Sequence, residues 1–193
     1  MNTPAHMIFA AAAFARPHDR ATTLASVIGA FLPDLSLYLM AGVALFVMGL
    51  SPHYVFDTLY FSDAWQAVFA IDNSFILWGM VLGFGWWTGR RILMIFTASG
   101  LMHLAFDFLL HNEDARQQFW PLSDWVFRSP VSYWDSRYYG NIVAPIEMVV
   151  TLLLCLVLIR RFQSLRSRAV IATGAALQVA PAFIWVLVFS GGA

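Results

Sequence analysis

Residues 92–111 read ILMIFTASGLMHLAFDFLLH. Twenty residues of helix rise about 30 Å, the thickness of a bilayer's hydrocarbon core. Almost every side chain in the stretch is one that lipid accepts, yet His103, Asp107 and His111 interrupt it at i, i+4 and i+8. Each step of four advances only about 40° around a helix, so the three project from one face. Ionisable groups in lipid cost at least a few kcal/mol each, so such a face turns into a helix bundle and serves a function.

The rest of the chain fits a bundle. Of 193 residues, 60% are hydrophobic and 11% charged, with a mean hydropathy of +0.69. A soluble domain carries about a quarter charged residues, and so much apolar surface cannot be hidden inside one globule. The expectation is one integral membrane domain over residues 1–193, an all-α polytopic bundle of about six helices. The apolar runs are 3–15, 22–50, 74–87, 92–111, 141–159 and 169–189. The first and third are short for a full span, and the second is long, with Pro33 inside it favouring a kink. Residues 1–7 hold no Lys or Arg, so a cleaved signal segment is not expected. A net charge of zero gives no support for a nucleic-acid partner, and the lone Cys155 allows no intramolecular disulfide.

Charge orients the bundle. All eleven basic residues are arginines, and Arg16/Arg20, Arg90/Arg91 and Arg160/Arg161/Arg166/Arg168 fall in alternate connections. The intervening connections, 51–73 and 112–140, hold most of the acids. The positive-inside rule therefore puts both termini and these two longer loops outside, which in a bacterial inner membrane is the periplasm.

Within the runs, His6, Asp34 and His103 lie about 14, 18 and 17 Å from the basic ends of their helices, a shared depth near the bilayer middle. Asp107 lies one turn further out, with His111 and Glu147 nearer the outer face. A histidine and an aspartate one turn apart can grip one divalent cation, so His6, Asp34, His103 and Asp107 are the candidate metal ligands. His111 rises about 12 Å above His103, too far to share a metal, and is left for a second metal, an outer position or the substrate. Asp107, His111 and Glu147 are the candidate catalytic groups. The loop residues Trp120, Trp125, Tyr133 and Trp134 suit either a headgroup interface or a lid, and Arg116, Arg128 and Arg137 are its candidate phosphate contacts. His18 and His53 are expected to face solvent.

Thr3-x-x-His6, Leu32-Pro33-Asp34 and His103-x-x-x-Asp107 followed by Trp120-Pro121 together resemble a bacterial family, the membrane-bound metal-dependent hydrolases of the inner membrane, LexA-regulated type. The resemblance covers roughly residues 1–125 and implies a helical membrane protein with a divalent metal and hydrolase activity. Two positions depart from that pattern. Ser36 stands where Pro-Asp-x-Asp would supply a second carboxylate, and Asn73 where a histidine is expected; His111 and Glu147 are the candidates to replace them. A more distant likeness in ligand spacing is to the all-helical zinc-dependent phospholipases C. The chain also resembles cobalamin-biosynthesis amidotransferases, but it has no nucleotide-binding loop and its cysteine lies in an apolar run, so its residues do not support that chemistry.

The leading expectation is a metal-dependent hydrolase, with Zn²⁺ or a similar ion, acting on an ester or phosphoester of a lipid-like membrane substrate at an outward-opening site. The alternatives are a metal-ion or proton-coupled transporter, in which the same residues line a path, and a structural membrane protein with a vestigial site.

Overall fold

The computed structural model describes residues 1–189. It is all-α, and among the described residues the order is α1 (Thr3–Phe14), α2 (Arg20–Gly42), α3 (Asp63–Asp72), α4 (Phe75–Trp87), α5 (Arg91–Leu110), α6 (Gly140–Arg161) and α7 (Leu165–Phe189). Among the described residues four segments are long and apolar enough to cross a membrane: Arg20–Val47, Asp63–Trp87, Arg91–Leu110 and Gly140–Arg161; α1 is a shorter apolar helix. The C-terminal residues 190–193, expected on the outer face, lie outside the described residues.

Side-chain size is distributed in the reverse of a soluble protein. Ala5, Ala10, Ser26, Ala30, Thr97 and Ser99 are fully buried, whereas Leu39, Phe46, Met80, Leu153 and Leu156 point outward. In lipid no hydrophobic force drives helices together, so they associate through small residues that let backbones approach. Gly29 carries the closest such approach: a Cβ there would lie 2.0 Å from the Phe96 carbonyl oxygen. Only glycine lets α2 press on α5 at this point, and these two helices form the most extensive pairing in the bundle. Gly100 does the same for α4, its missing Cβ leaving room for the Trp78 ring.

Local signals start the helices where the sequence suggests. The Asp19 carboxylate accepts from the Thr22 N–H at 2.9 Å and caps α2; Ser62 and Ser74 cap α3 and α4. Helix α2 runs through Pro33 without interruption, and its irregular part comes later, in a π-helical segment at Val43–Val47. The connection 51–73 is also not an open loop. It holds helical turns over Pro52–Tyr54 and Val55–Leu59 and then α3, so the third apolar run is extended towards its start rather than left short. The acids Asp63 and Asp72 at the ends of α3 disguise it in the sequence, while Phe69 and Ala70 between them are buried.

Candidate functional site

Helices α1, α2 and α5 bring His6, Asp34, His103 and Asp107 together near one end of the bundle, and all four are buried. The imidazoles of His6 and His103 stack with centroids 3.6 Å apart. Both turn Nε2 to the Asp107 carboxylate, His6 at 2.9 Å from Oδ1 and His103 at 3.0 Å from Oδ2. His111 ends α5 with extended backbone, and this lets its Nε2 come within 3.2 Å of Asp107 Oδ1. Three imidazole Nε2 atoms thus converge on one carboxylate. His111 does not reach His103, as the helical rise requires, but it shares Asp107 with it.

Proton placement makes this arrangement informative. His103 Nδ1 lies 2.6 Å from the Ala30 carbonyl oxygen, which can only accept, so Nδ1 carries the proton. His111 Nδ1 lies 2.8 Å from Asp114 Oδ2 and is committed in the same way. Neutral His103 and His111 would then present lone pairs to a carboxylate, acceptor against acceptor. Contacts of 3.0 and 3.2 Å are favourable with a positive centre beside them: a second proton on the ring, a bound cation or, next to His111, the Met1 nitrogen 3.5 Å from its Nε2. The close approach of α2 and α5 at Gly29 is what delivers the neighbouring Ala30 carbonyl to His103.

These donors fit a divalent metal. One ligand atom from each of His6, His103 and Asp107 lies within 4.8 Å of the others. A backbone carbonyl on the far nitrogen of His103 is the kind of outer partner that fixes the tautomer of a ligating imidazole. Asp34 borders the group: Oδ1 is 3.7 Å from His103 Nε2, and Oδ2 accepts from the Thr3 hydroxyl at 2.5 Å. The Met1 nitrogen lies 2.9 Å from Asp107 Oδ1.

Glu147 is placed apart from this group. Its Oε1 accepts from the Asn2 N–H at 3.1 Å and from Gln178 Nε2 at 2.9 Å, and its buried Oε2 has no partner among the described residues. It therefore braces the start of α1 against α7 rather than touching His6, His103 or Asp107. The two departures from the family pattern fall differently. Ser36 Oγ is buried without a partner among the described residues, whereas Asn73 is fully buried beside the site, its Oδ1 accepting from Arg116 at 3.3 Å.

Of the three loop arginines, the structure brings one to the site. Arg116 is buried, with its guanidinium 4.4 Å from the Phe69 ring centroid, Nε donating to Tyr60 Oη at 3.2 Å, and one terminal nitrogen 3.7 Å from Asp34 Oδ1. Arg137 is held by Asp135 and Glu113 at the exposed rim, and Arg128 is exposed. Asp34, Tyr60, Asp107, His111, Arg116 and Tyr133 line a cleft of about 750 Å³. The loop that covers it is pinned to the end of α5, Ser129 N–H donating to the His111 carbonyl and Tyr133 N–H to that of Leu110. Trp134 Nε1 donates to Asp114 Oδ2 at 2.9 Å. Burial pushes the Asp114 carboxyl up, but the hydrogen bonds from His111 and Trp134 outweigh it and hold the group below the ordinary carboxylate value.

Sequence reasoning missed Asp114 and Tyr60, because loop acids and aromatics look alike until the chain folds over the site. His18 and His53 are exposed, His53 beside Asp57. No protein-family model, no curated protein and no solved structure matches this chain, so the assignment of the site rests on its geometry.

Proposed function

We propose that the protein is a metal-dependent hydrolase of a membrane, the bacterial inner membrane by the resemblance, acting on an ester or phosphoester of a lipid-like substrate. The observation that carries this reading is the convergence of three imidazole Nε2 atoms on Asp107, two of them with the far nitrogen already committed as a donor. His6, His103 and Asp107 would hold the ion, with Asp34 at its edge. When bound, a divalent ion such as Zn²⁺ supplies Lewis acidity and makes water nucleophilic near neutral pH.

The remaining roles belong to groups that line the cleft. Arg116, fixed by Tyr60, Phe69 and Asn73, binds the anionic oxygens of the substrate. His111, oriented by Asp114, exchanges a proton at Nε2 with the leaving oxygen. The cleft opens where the loops cover the bundle, which by the arginine distribution is the outer, periplasmic face. Hydrolysis is favoured over transport by the hydroxyls on the other side of His103. Ser26, Thr97 and Ser99 donate to carbonyls of their own helices at 2.8 Å each and leave no continuous polar path among the described residues.

The test is elemental analysis of the purified protein in detergent, for the wild type and His103→Ala. About one or two ions per chain, lost in the variant, followed by a screen of lipid esters and phosphoesters that the variant fails, supports the proposal. A wild type without metal after reconstitution, or a variant with unchanged metal and hydrolysis, overturns it and leaves Asp107 to its contacts with His6, His103, His111 and the Met1 nitrogen.

A further inference from the structure

The opposite end of the bundle holds a second cavity, of about 620 Å³, between the end of α1, α4 and the start of α5. Three arginines from three separate connections line it: Arg16 after α1, Arg91 at the start of α5 and Arg161 at the end of α6. Among the described residues no acid lines it. Arg161 is fixed in place, donating to the Ala12 and Ala15 carbonyls at 2.8 and 3.4 Å, at the C-terminal end of α1. Arg16 and Arg91 are exposed, and among the described residues neither side chain makes a hydrogen bond or an ion pair. The acid in the same turn, Asp19, spends its hydrogen bonds on Thr22 to cap α2, and it feels the charges of Arg91 and Arg16 without forming an ion pair with either. Deeper in the cavity the wall changes character: Leu82, Met94, Ile95 and Ala98 form an apolar floor.

A cationic rim over an apolar floor, at the level where a bilayer's headgroups meet its acyl chains, complements one class of ligand. We infer that this cavity binds an anionic phospholipid, its phosphate on Arg16, Arg91 and Arg161 and an acyl chain along Leu82, Met94 and Ile95. Arg161 is the preorganised contact, and Arg16 and Arg91 are the two cations that close on the phosphate. This is more than the general excess of arginine on one face. Arg20 and Arg90 neighbour Arg16 and Arg91 in the sequence, yet neither lines the cavity, and Arg90 lies instead over the Phe84 ring at 5.8 Å.

The experiment is native mass spectrometry of the full chain titrated with phosphatidylglycerol or phosphatidylcholine in detergent. The wild type is expected to prefer phosphatidylglycerol by about 10- to 30-fold, and the double variant R16Q/R91Q to lose that preference. The control R20Q/R90Q removes the same charge beside the cavity and is expected to keep it. Equal loss in the two double variants shows only diffuse surface charge and overturns the inference, as does a wild type without preference. Glycerol 3-phosphate, which lacks acyl chains, is expected not to compete. If it displaces phosphatidylglycerol at equal concentration, the apolar floor takes no part and the lipid assignment fails. All four arginines are exposed, so both variants are expected to fold, which far-UV circular dichroism checks.

Discussion

At one end of the bundle Asp107 is buried among His6, His103 and His111; at the other, Arg16 and Arg91 stand exposed beside Arg161, with no acid among the described residues of the cavity wall. Both ends gather charge from segments far apart in the chain, but under different constraints. A carboxylate out of water must have its partners built in, at fixed distances, so the first site depends on helix register and on backbone contacts such as Ala30 to His103. Guanidinium groups at a headgroup interface remain hydrated until a mobile partner arrives, so the second site needs only proximity. Substitutions should therefore damage the fold at the first end and only ligand binding at the second.

The largest effect is expected at Asp107. Asp107→Asn leaves three imidazoles around a neutral group and should destabilise the protein by about 3–5 kcal/mol, read as thermal unfolding in detergent. An unchanged melting temperature would break the contrast between the two ends. Next is Gly29→Ala, whose new Cβ would meet the Phe96 carbonyl oxygen. Forcing α2 and α5 apart should cost about 1–3 kcal/mol and weaken metal retention as the Ala30 carbonyl moves away from His103. Gly42→Ala, where a Cβ meets nothing within 4 Å, is the control and should change stability by less than about 0.5 kcal/mol.

Arg116→Lys sharpens the assignment within the first end. The charge survives but the planar fork held by Tyr60 and Asn73 does not, so KM for an anionic substrate should rise about tenfold with metal content unchanged. The smallest effect is expected at the rim, where the exposed Arg137 covers a buried Asp135. Hydrogen bonds from Arg137 hold the Asp135 carboxyl below its ordinary value. A depressed folded-state pKa contributes stability above the unfolded value of about 3.9 and loses it as pH falls through the folded one. Trp134 fluorescence should therefore report loosening of the covering loop at acid pH, and Asp135→Asn should remove that dependence.

Much of the site was legible because lipid is an exacting solvent. His6, Asp34, His103 and Asp107 stand out as ionisable groups in apolar runs, and helical rise alone places three of them at one depth. Glu147 stands out for the same reason, yet the fold places it against Asn2 and Gln178. Burial in lipid explains why an ionisable residue has a partner, not which one. Helix α3 was hidden because the run between Asp63 and Asp72 is too short to register beside its acidic ends.

The sequence by itself determined that the chain is an all-α membrane protein, which residues are costly in lipid, and which connections carry the arginines, since composition and helical period alone decide these. Tertiary structure decided which groups touch. It chose Arg116 over Arg128 and Arg137, turned three Nε2 atoms onto one carboxylate, and gathered Arg16, Arg91 and Arg161 around one cavity. Those outcomes depend on the rotation and closeness of packed helices, set at points such as Gly29 against Phe96, and no one-dimensional pattern carries that information.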